Sequence, residues 1–268
     1  MVRPDAESGG GGRPRVYAHR GSTILAPENT ARAFDLALGF GADVLETDVR
    51  LSRDGVVFVT HDARLERTTD GRGAVREHTA RALARLDAGY RFRSPDGRPA
   101  RGENVRLVTL EALLERYPDT LVNVDVKDAD GAAAEAVART IERAGANERV
   151  TVGSFHAPTL ARFRAVAPGV ATAATRGEVA RLYFGRLLPT RGAPAPLAYR
   201  WLQIPPVWRG IPLATPAFVA AARARGVGAV YWTINRPEEM RELARRGASG
   251  IVTDRPDLAR ALWGDGDR

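Results

Sequence analysis

The sequence predicts an α/β fold, namely a (β/α)8 TIM barrel with a small insertion after the second-strand region. Short runs rich in Val, Ile and Leu alternate along the 268-residue chain with helical patterns rich in Ala, Leu and Arg, and eight of these runs count as principal strands. Such alternation over roughly 250 residues is typical of a barrel of parallel strands. A doubly wound open sheet is the alternative, but no G-x-G-x-x-G motif follows the first strand.

The strands are predicted from their β-branched content and the helices from their start and stop signals. The first helix begins at a proline and ends at a glycine, as helices often do. The principal strands are 16–19, 42–51, 121–127, 149–155, 169–175, 199–205, 227–235 and 249–254, and a further short strand, 56–62, follows the turn signal SRDG. The helices are 27–41, 109–118, 131–145, 157–168, 177–185, 215–226, 236–247 and 255–263.

The chain divides into one barrel with short extensions. Residues 15–263 hold the barrel pattern, residues 1–14 predict a flexible N-terminal tail, and residues 264–268 predict a C-terminal tail. Residues 62–106 are polar and too long for an ordinary connection between barrel elements. We therefore expect this segment to form a small inserted cap over one end of the barrel.

Composition excludes several classes of function. The absence of cysteine excludes disulfides and thiolate metal sites. The formal charge of +8 suggests an anionic ligand, but the arginines are scattered singly through helices and aromatics are few, so nucleic-acid binding is not expected. No apolar run reaches the ~18 residues that cross a bilayer, and no secretory leader is evident at the N-terminus. The sequence thus predicts a cytoplasmic protein without stable membrane insertion.

Polar side chains fall at the ends of the predicted strands, where barrel enzymes carry their active sites. Strand alternation places Glu46 and Asp48 on one face, and Asp125 shares a face with Lys127. Each pair alone is common on a solvated strand, but their coincidence at strand ends favours a site. Three converging carboxylates would repel one another unless a cation lay between them. Oxygen ligands suit one divalent cation, Mg²⁺ or Ca²⁺, and do not suit zinc.

The chain resembles the glycerophosphodiester phosphodiesterase family over about residues 15–263. The motifs that carry the resemblance are AHRG (18–21), PENT (27–30), GADVLETDVRLSRDGVVFVTHD (41–62), LERTTDGRG (65–73), VDVK (124–127), WTIN (232–235) and GIVTDRPD (250–257). The resemblance implies a TIM barrel that hydrolyses a small glycerophosphodiester to glycerol 3-phosphate and an alcohol, using one divalent cation. It also implies that the glycerol hydroxyl attacks first and that water then opens a cyclic phosphate.

The resemblance also implies roles for individual residues. His19 and His61 match the catalytic acid–base pair, Arg20 and Lys127 match the cationic phosphate contacts, and Glu46, Asp48 and Asp125 match the metal ligands. Asp125 departs from the family pattern, which usually has glutamate there. Lys127 is the only lysine in a chain that otherwise uses arginine, and a compact ammonium fits a crowded phosphate site better than a planar guanidinium does.

Several alternatives stay open on the sequence alone. Trp232 forms either an apolar wall for the substrate or packing at the barrel rim, and Glu28 and Asn29 either line the site or cap a helix. The rival activities are a lysophospholipase D or sphingomyelinase-D-like lipid phosphodiesterase and a catalytically inactive phosphodiester-binding barrel. An apolar groove in residues 62–106 would favour the lipid rival. The oligomeric state and the assignment of acid and base are undetermined.

Overall fold

A computed structural model describes residues 12–185 and 196–263. Most of the predicted N-terminal tail (residues 1–11), the predicted C-terminal tail (264–268) and residues 186–195 lie outside the described residues. At the start of the described chain, Arg13 forms an ion pair with Asp43 at 2.5 Å, which ties the backbone before the first strand to the loop before the second.

The elements follow the predicted order, with most boundaries shifted inward by one to four residues. The strands are β1 (Arg15–His19), β2 (Val44–Leu51), β3 (Val57–Val59), β4 (Leu121–Val126), β5 (Val150–Gly153), β6 (Ala171–Thr172), β7 (Trp201–Ile204), β8 (Val207–Trp208), β9 (Ile211–Pro212), β10 (Gly228–Tyr231) and β11 (Gly250–Thr253). The α-helices are α1 (Ala31–Gly39), α2 (Ala80–Leu83), α3 (Leu110–Arg116), α4 (Gly131–Arg143), α5 (Ala157–Val166), α6 (Arg176–Gly185), α7 (Pro216–Arg223), α8 (Pro237–Arg245) and α9 (Pro256–Trp263), and a 3₁₀ helix spans Val75–Glu77.

Eight parallel strands form the barrel. Their order is β6-β5-β4-β2-β1-β11-β10-β7, and β3 adds antiparallel to β2. A parallel bridge between Ala173 and Trp201 brings the two end strands together, with a hydrogen bond of 2.8 Å from the Ala174 amide to the Trp201 carbonyl. The predicted TIM barrel is therefore confirmed, and the open-sheet alternative is wrong because its outer strands would not pair.

Large side chains fill the barrel below the strand ends. Tyr17 and Trp201 are buried there with Val44, Leu121, Val230 and Val252. Gly228 and Gly250 make room for the two rings, because a methyl group at either position would collide with Trp201 or Tyr17. Two further apolar clusters lie where the outward faces of the strands meet the helices. The interior is thus packed, and the polar residues stand above it at the carboxyl ends.

Side-chain caps fix where several helices begin. Thr30, Thr109, Asp130 and Thr215 each accept a hydrogen bond from the amide three residues on, at the starts of α1, α3, α4 and α7. Such caps satisfy amides that the helix leaves without partners. They place the helix starts directly after the strand-end loops that carry the polar residues.

Residues 62–106 lie between β3 and α3 and have an apolar cluster of their own. Leu65, Val75, Leu83 and Val105 are buried in it together with Phe58 of β3. This cluster anchors the segment to β3, the short strand that is followed by His61 of the predicted site. No helix among the described residues is long and apolar enough to cross a bilayer.

Candidate active site

The strand register gathers the predicted residues at two levels of the barrel mouth. His19 of β1 lies beside Glu46 of β2 in the parallel ladder, and Glu46 lies beside Asn123 of β4. One step nearer the mouth, Asp48 lies beside Asp125. Side chains that face into the barrel recur at every second position of a strand. The E-x-D pattern of β2 and the N-x-D pattern of β4 therefore each place one side chain at the lower level and one at the upper level.

Two cations neutralise the carboxylates. The Lys127 ammonium lies 2.8 Å from Asp48 Oδ1 and 2.5 Å from Asp125 Oδ2. Arg20 approaches Asp48 from the other side, with Nε 2.9 Å from Oδ2. The Arg20 amide also donates to Glu46 at 3.1 Å, and this residue has a left-handed backbone, with φ of 51°. Asp48, with 1% of its surface exposed, is thus held between both cations.

The three carboxyls differ in how well their charge is stabilised. Burial would raise the pKa of Asp48, but the charges of Lys127 and then Arg20 outweigh it and lower that pKa. Burial, and next the charge of Asp48, raise the pKa of Glu46. Burial also raises the pKa of Asp125 by more than Lys127 lowers it. The site therefore holds more buried negative charge than its two cations neutralise.

His19 is held by the last barrel strand. Its Nδ1 lies 2.7 Å from Asp254 Oδ1, and Thr23 and Asn235 donate to the same carboxylate at 2.6 and 2.7 Å. Burial would raise the pKa of Asp254, but the hydrogen bonds from His19 and Thr23 hold it at about 2. Burial would lower the pKa of His19, but the bond to Asp254 and the charge of Glu46 raise it overall. Because Nδ1 donates to the carboxylate, Nε2 is the nitrogen that can exchange a proton with a ligand.

His61 is held in the same way by its neighbour, and a chain of ion pairs continues to Arg20. His61 Nδ1 lies 2.6 Å from Asp62 Oδ1. Arg67 of the 62–106 segment binds Asp62 and makes two bonds of 2.7 Å to Glu28. Glu28 in turn accepts from Arg20 at 3.1 Å. The inserted segment thus connects the two sides of the site through Arg67.

Glu28 and Asn29 lie behind the residues that face the site. Glu28 binds Arg20 and does not itself line the cavity that Arg20 faces. Asn29 is buried, accepts from Thr47 at 2.8 Å and approaches Asp48 at 3.4 Å. The helix cap is Thr30, one residue later. Both PENT residues therefore orient the charged groups and do not cap α1.

Carboxylates are the ligands that a hard divalent cation prefers, but those of this site are not preassembled around an ion. In residues 12–185 and 196–263, no group of three His, Asp or Glu side chains surrounds a common point, because Lys127 lies between Asp48 and Asp125. Carboxylate oxygens on adjacent strands suit such a cation, and the pKa of Glu46 is raised first by burial and next by the charge of Asp48.

One cavity of about 450 Å³ joins the two histidines, the two cations and the three carboxylates. The eight residues predicted for the site all line it: His19, Arg20, Glu46, Asp48, His61, Asp125, Lys127 and Trp232. Trp232 meets the Phe155 ring edge to face, with ring centroids 6.0 Å apart. Its side chain therefore borders the cavity and also packs against the barrel core, and its contact with a substrate stays a prediction.

Comparison with known proteins identifies the chain. The model of the glycerophosphoryl diester phosphodiesterase family matches residues 19–258. The chain belongs to this family. A relative from Caldanaerobacter subterraneus named glycerophosphodiester phosphodiesterase is 33% identical over 90% of this chain and 94% of its own length. One from Bacillus altitudinis with the same name is 32% identical over 91% and 96%. The crystal structure of a glycerophosphoryl diester phosphodiesterase domain from Mycobacterium tuberculosis has a TM-score of 0.80, 26% identity, and covers 92% of this chain and 98% of that one.

In this glycerophosphodiester phosphodiesterase family member, several residues around the cavity had no role assigned to them from the sequence. Asp254 stands at the end of the last strand, and its pairing with His19 follows from barrel closure, since Thr253 lies beside Ala18. Arg67 lies in the quoted LERTTDGRG motif, but no local pattern shows that it reaches Glu28. Gln203 lines the cavity and donates to Asn123 at 2.5 Å. Phe155 and Arg176 also line it and were not predicted.

Proposed function

We propose that this chain hydrolyses glycerophosphodiesters to glycerol 3-phosphate and an alcohol, with one divalent cation and two histidines. The observation that carries the proposal is that both imidazoles face one cavity, each with Nδ1 bound by an aspartate. This arrangement leaves two proton-exchanging nitrogens facing the same cavity as Arg20 and Lys127. The family membership supports the same reaction, and relatives of similar length carry the corresponding name.

The cations of the site would bind the phosphodiester. Arg20 and Lys127 are each mostly buried, with 16% and 14% of the side chain exposed. Because both side chains are shielded from most of the solvent, their attraction for a phosphate is stronger than it would be in water. Lys127 reaches the two carboxylates with a single charged atom, so its ammonium can turn one donor to a phosphate oxygen while it keeps others on the aspartates.

The histidines would move the protons. One accepts a proton from the attacking hydroxyl, and the other gives a proton to the departing alkoxide. Asp254 and Asp62 favour the tautomer with the proton on Nδ1 and stabilise the ring when it is charged. Arg67 acts as a positioning residue, because it holds Asp62 and Glu28 together from outside the site.

Glu46, Asp48 and Asp125 would hold the divalent cation. When bound, such an ion neutralises phosphate charge and polarises the phosphoryl group. Asp125 has a shorter side chain than the glutamate that the family resemblance leads one to expect. Its Cα lies directly beside that of Asp48, which supports a shared ligand position on adjacent strands.

The test is glycerol 3-phosphate release from glycerophosphocholine by the wild type and three histidine variants. His19→Ala and His61→Ala should each lower turnover by at least about 100-fold, the range for loss of a general acid or base. The matched control is His78→Ala, whose ring bonds to the Arg72 carbonyl in the 62–106 segment and does not line the cavity. Near-normal turnover in a folded His19 or His61 variant would contradict the proposed roles.

A further inference from the structure

The cavity extends beyond the charged residues into a second part. Beyond the strand ends, its lining comes from one face of α6 and from the β8–β9 hairpin, and it contains Val179, Tyr183, Phe184, Trp208 and Ile211. This part is apolar and directly adjoins the charged floor, which consists of Arg20, Glu46, Asp48, Asp125 and Lys127. Apolar surface, which would favour the lipid rival, therefore lies beside the charged residues in α6 and in the hairpin, where the sequence VWRGIPL (207–213) is itself largely apolar.

The charges of this second part are unsuited to a cationic group. Within the described lining, all carboxylates belong to the charged floor. The charged side chain beside the apolar part is Arg176, whose guanidinium lies 5.2 Å from the centre of the Phe155 ring. Lys127 lies 5.5 Å from the same ring on the floor side. A cationic head group would therefore meet Arg176 and no lining carboxylate in the apolar part, whereas an uncharged chain would meet apolar surface.

The exposed apolar side chains of the protein are concentrated at this place. Among the described residues, the exposed large apolar side chains at the cavity or its hairpin are Phe155, Phe184, Val207 and Trp208. Two others, Ile24 and Val166, lie elsewhere. Leaving large apolar side chains in water is unfavourable, and a contiguous group of them usually marks a binding surface. Here the group borders a phosphodiester site, which points to an apolar extension of the substrate.

We infer that the substrate is a phosphodiester that carries one hydrocarbon chain, of the kind found in monoacyl glycerophospholipids, and that the chain lies along α6 and the β8–β9 hairpin. This inference rests on the proposed function. In the reaction, water adds across the P–O bond to the head-group alcohol: its oxygen joins phosphorus, and the alcohol leaves with a proton. The products are a chain-bearing glycerol phosphate and the free alcohol, and the acyl ester stays intact.

Binding of alkylphosphocholines tests the chain site independently of turnover. Chains of two to eight carbons are titrated calorimetrically into the full-length protein, below the concentration at which they form micelles. We expect the Kd to fall about threefold per added methylene, somewhat less than the value for full burial because the cavity is open on one side. A Kd that does not change with chain length would overturn the inference.

Two variants and a control localise the effect. Trp208→Ala and Phe184→Ala remove rings that are 44% and 53% exposed, so neither should prevent folding. Each substitution should at least halve the gain in affinity per added methylene. The Kd of the two-carbon compound should stay within about twofold of the wild-type value. The control, Val166→Ala, changes an exposed apolar residue at the end of α5 and should keep the full gain. Unchanged slopes in both ring variants would place the chain elsewhere and refute the assigned site.

Hydrolysis separates failure of this inference from failure of the proposed function. The kcat/KM of an eight-carbon monoacyl glycerophosphocholine should exceed that of glycerophosphocholine at least tenfold. Equal values would refute the inference and leave the proposed function standing. If neither compound is hydrolysed, the proposed function fails, and the chain-length dependence of binding still decides whether the apolar part receives a hydrocarbon chain.

Discussion

Replacing Lys127 with methionine should lower the free energy of unfolding by about 3 kcal/mol, because it leaves buried carboxylates without their cation. Methionine keeps most of the length of the side chain and removes the charge. Asp48 and Asp125 lie 2.8 and 2.5 Å from the ammonium, and their side chains are only 1% and 12% exposed, so water replaces the lost charge only in part.

The predicted loss of unfolding free energy lies at the low end of the range for breaking a buried ion pair, about 3–5 kcal/mol. Asp48 keeps Arg20 as a second partner at 2.9 Å. Asp125, whose pKa burial already raises, can take up a proton when the ammonium is gone. Both effects reduce the cost, but neither restores the lost attraction at Asp48.

The assay is urea-induced unfolding at pH 7 without divalent cations, with Arg162→Met as the matched control. Arg162 also contacts a carboxylate, Glu135, at 2.6 Å, but the two side chains are 51% and 36% exposed. Exposed pairs contribute about 0–1 kcal/mol, so the control should lose less than that. Equal losses in the two variants would show that the charges around Lys127 are solvated, and would refute the reasoning.

Two further predictions concern the partners of the histidines. Arg67→Ala should lower turnover of glycerophosphocholine about tenfold because Asp62 and Glu28 lose their common partner. The control, Arg64→Ala, removes an exposed ion pair with Glu66 in the same segment and should change turnover less than twofold. Equal effects of the two substitutions would contradict a positioning role for Arg67. Asp254→Asn should cost about 2 kcal/mol of unfolding free energy at neutral pH. The native pKa of Asp254 is held at about 2, below its ordinary 3.8, so its stabilisation is complete above that ordinary value and is lost as the pH falls towards 2. The difference between variant and wild type should shrink over this range in unfolding curves, and a constant difference would argue against the ion pair.

The barrel and its charged floor could be predicted because both follow from local periodicity. Alternation within β2 and β4 puts Glu46 and Asp48, and Asn123 and Asp125, on the inward face. Parallel pairing of adjacent strands then brings both pairs to one mouth. The register thus converts two short sequence patterns into one site.

Contacts between distant loops could not be predicted, because no local pattern encodes them. Arg67 and Glu28 are 39 residues apart and meet only because the 62–106 segment folds back over the loop after β1. The apolar part of the cavity could not be predicted either, because apolar residues of α6 such as Val179 and Tyr183 pack in the core and also line the cavity. The sequence pattern does not separate these two roles.

The most direct test of the proposed reaction is phosphorus NMR of glycerophosphocholine with protein freed of metal by a chelator. On addition of Mg²⁺ or Ca²⁺ in excess of the chelator, the diester resonance should be replaced by that of glycerol 3-phosphate, and the same addition to His19→Ala protein should leave the diester intact. A diester resonance that persists with folded wild-type protein and either ion, or one that disappears at the same rate with the chelator alone, would contradict cation-dependent hydrolysis at this site.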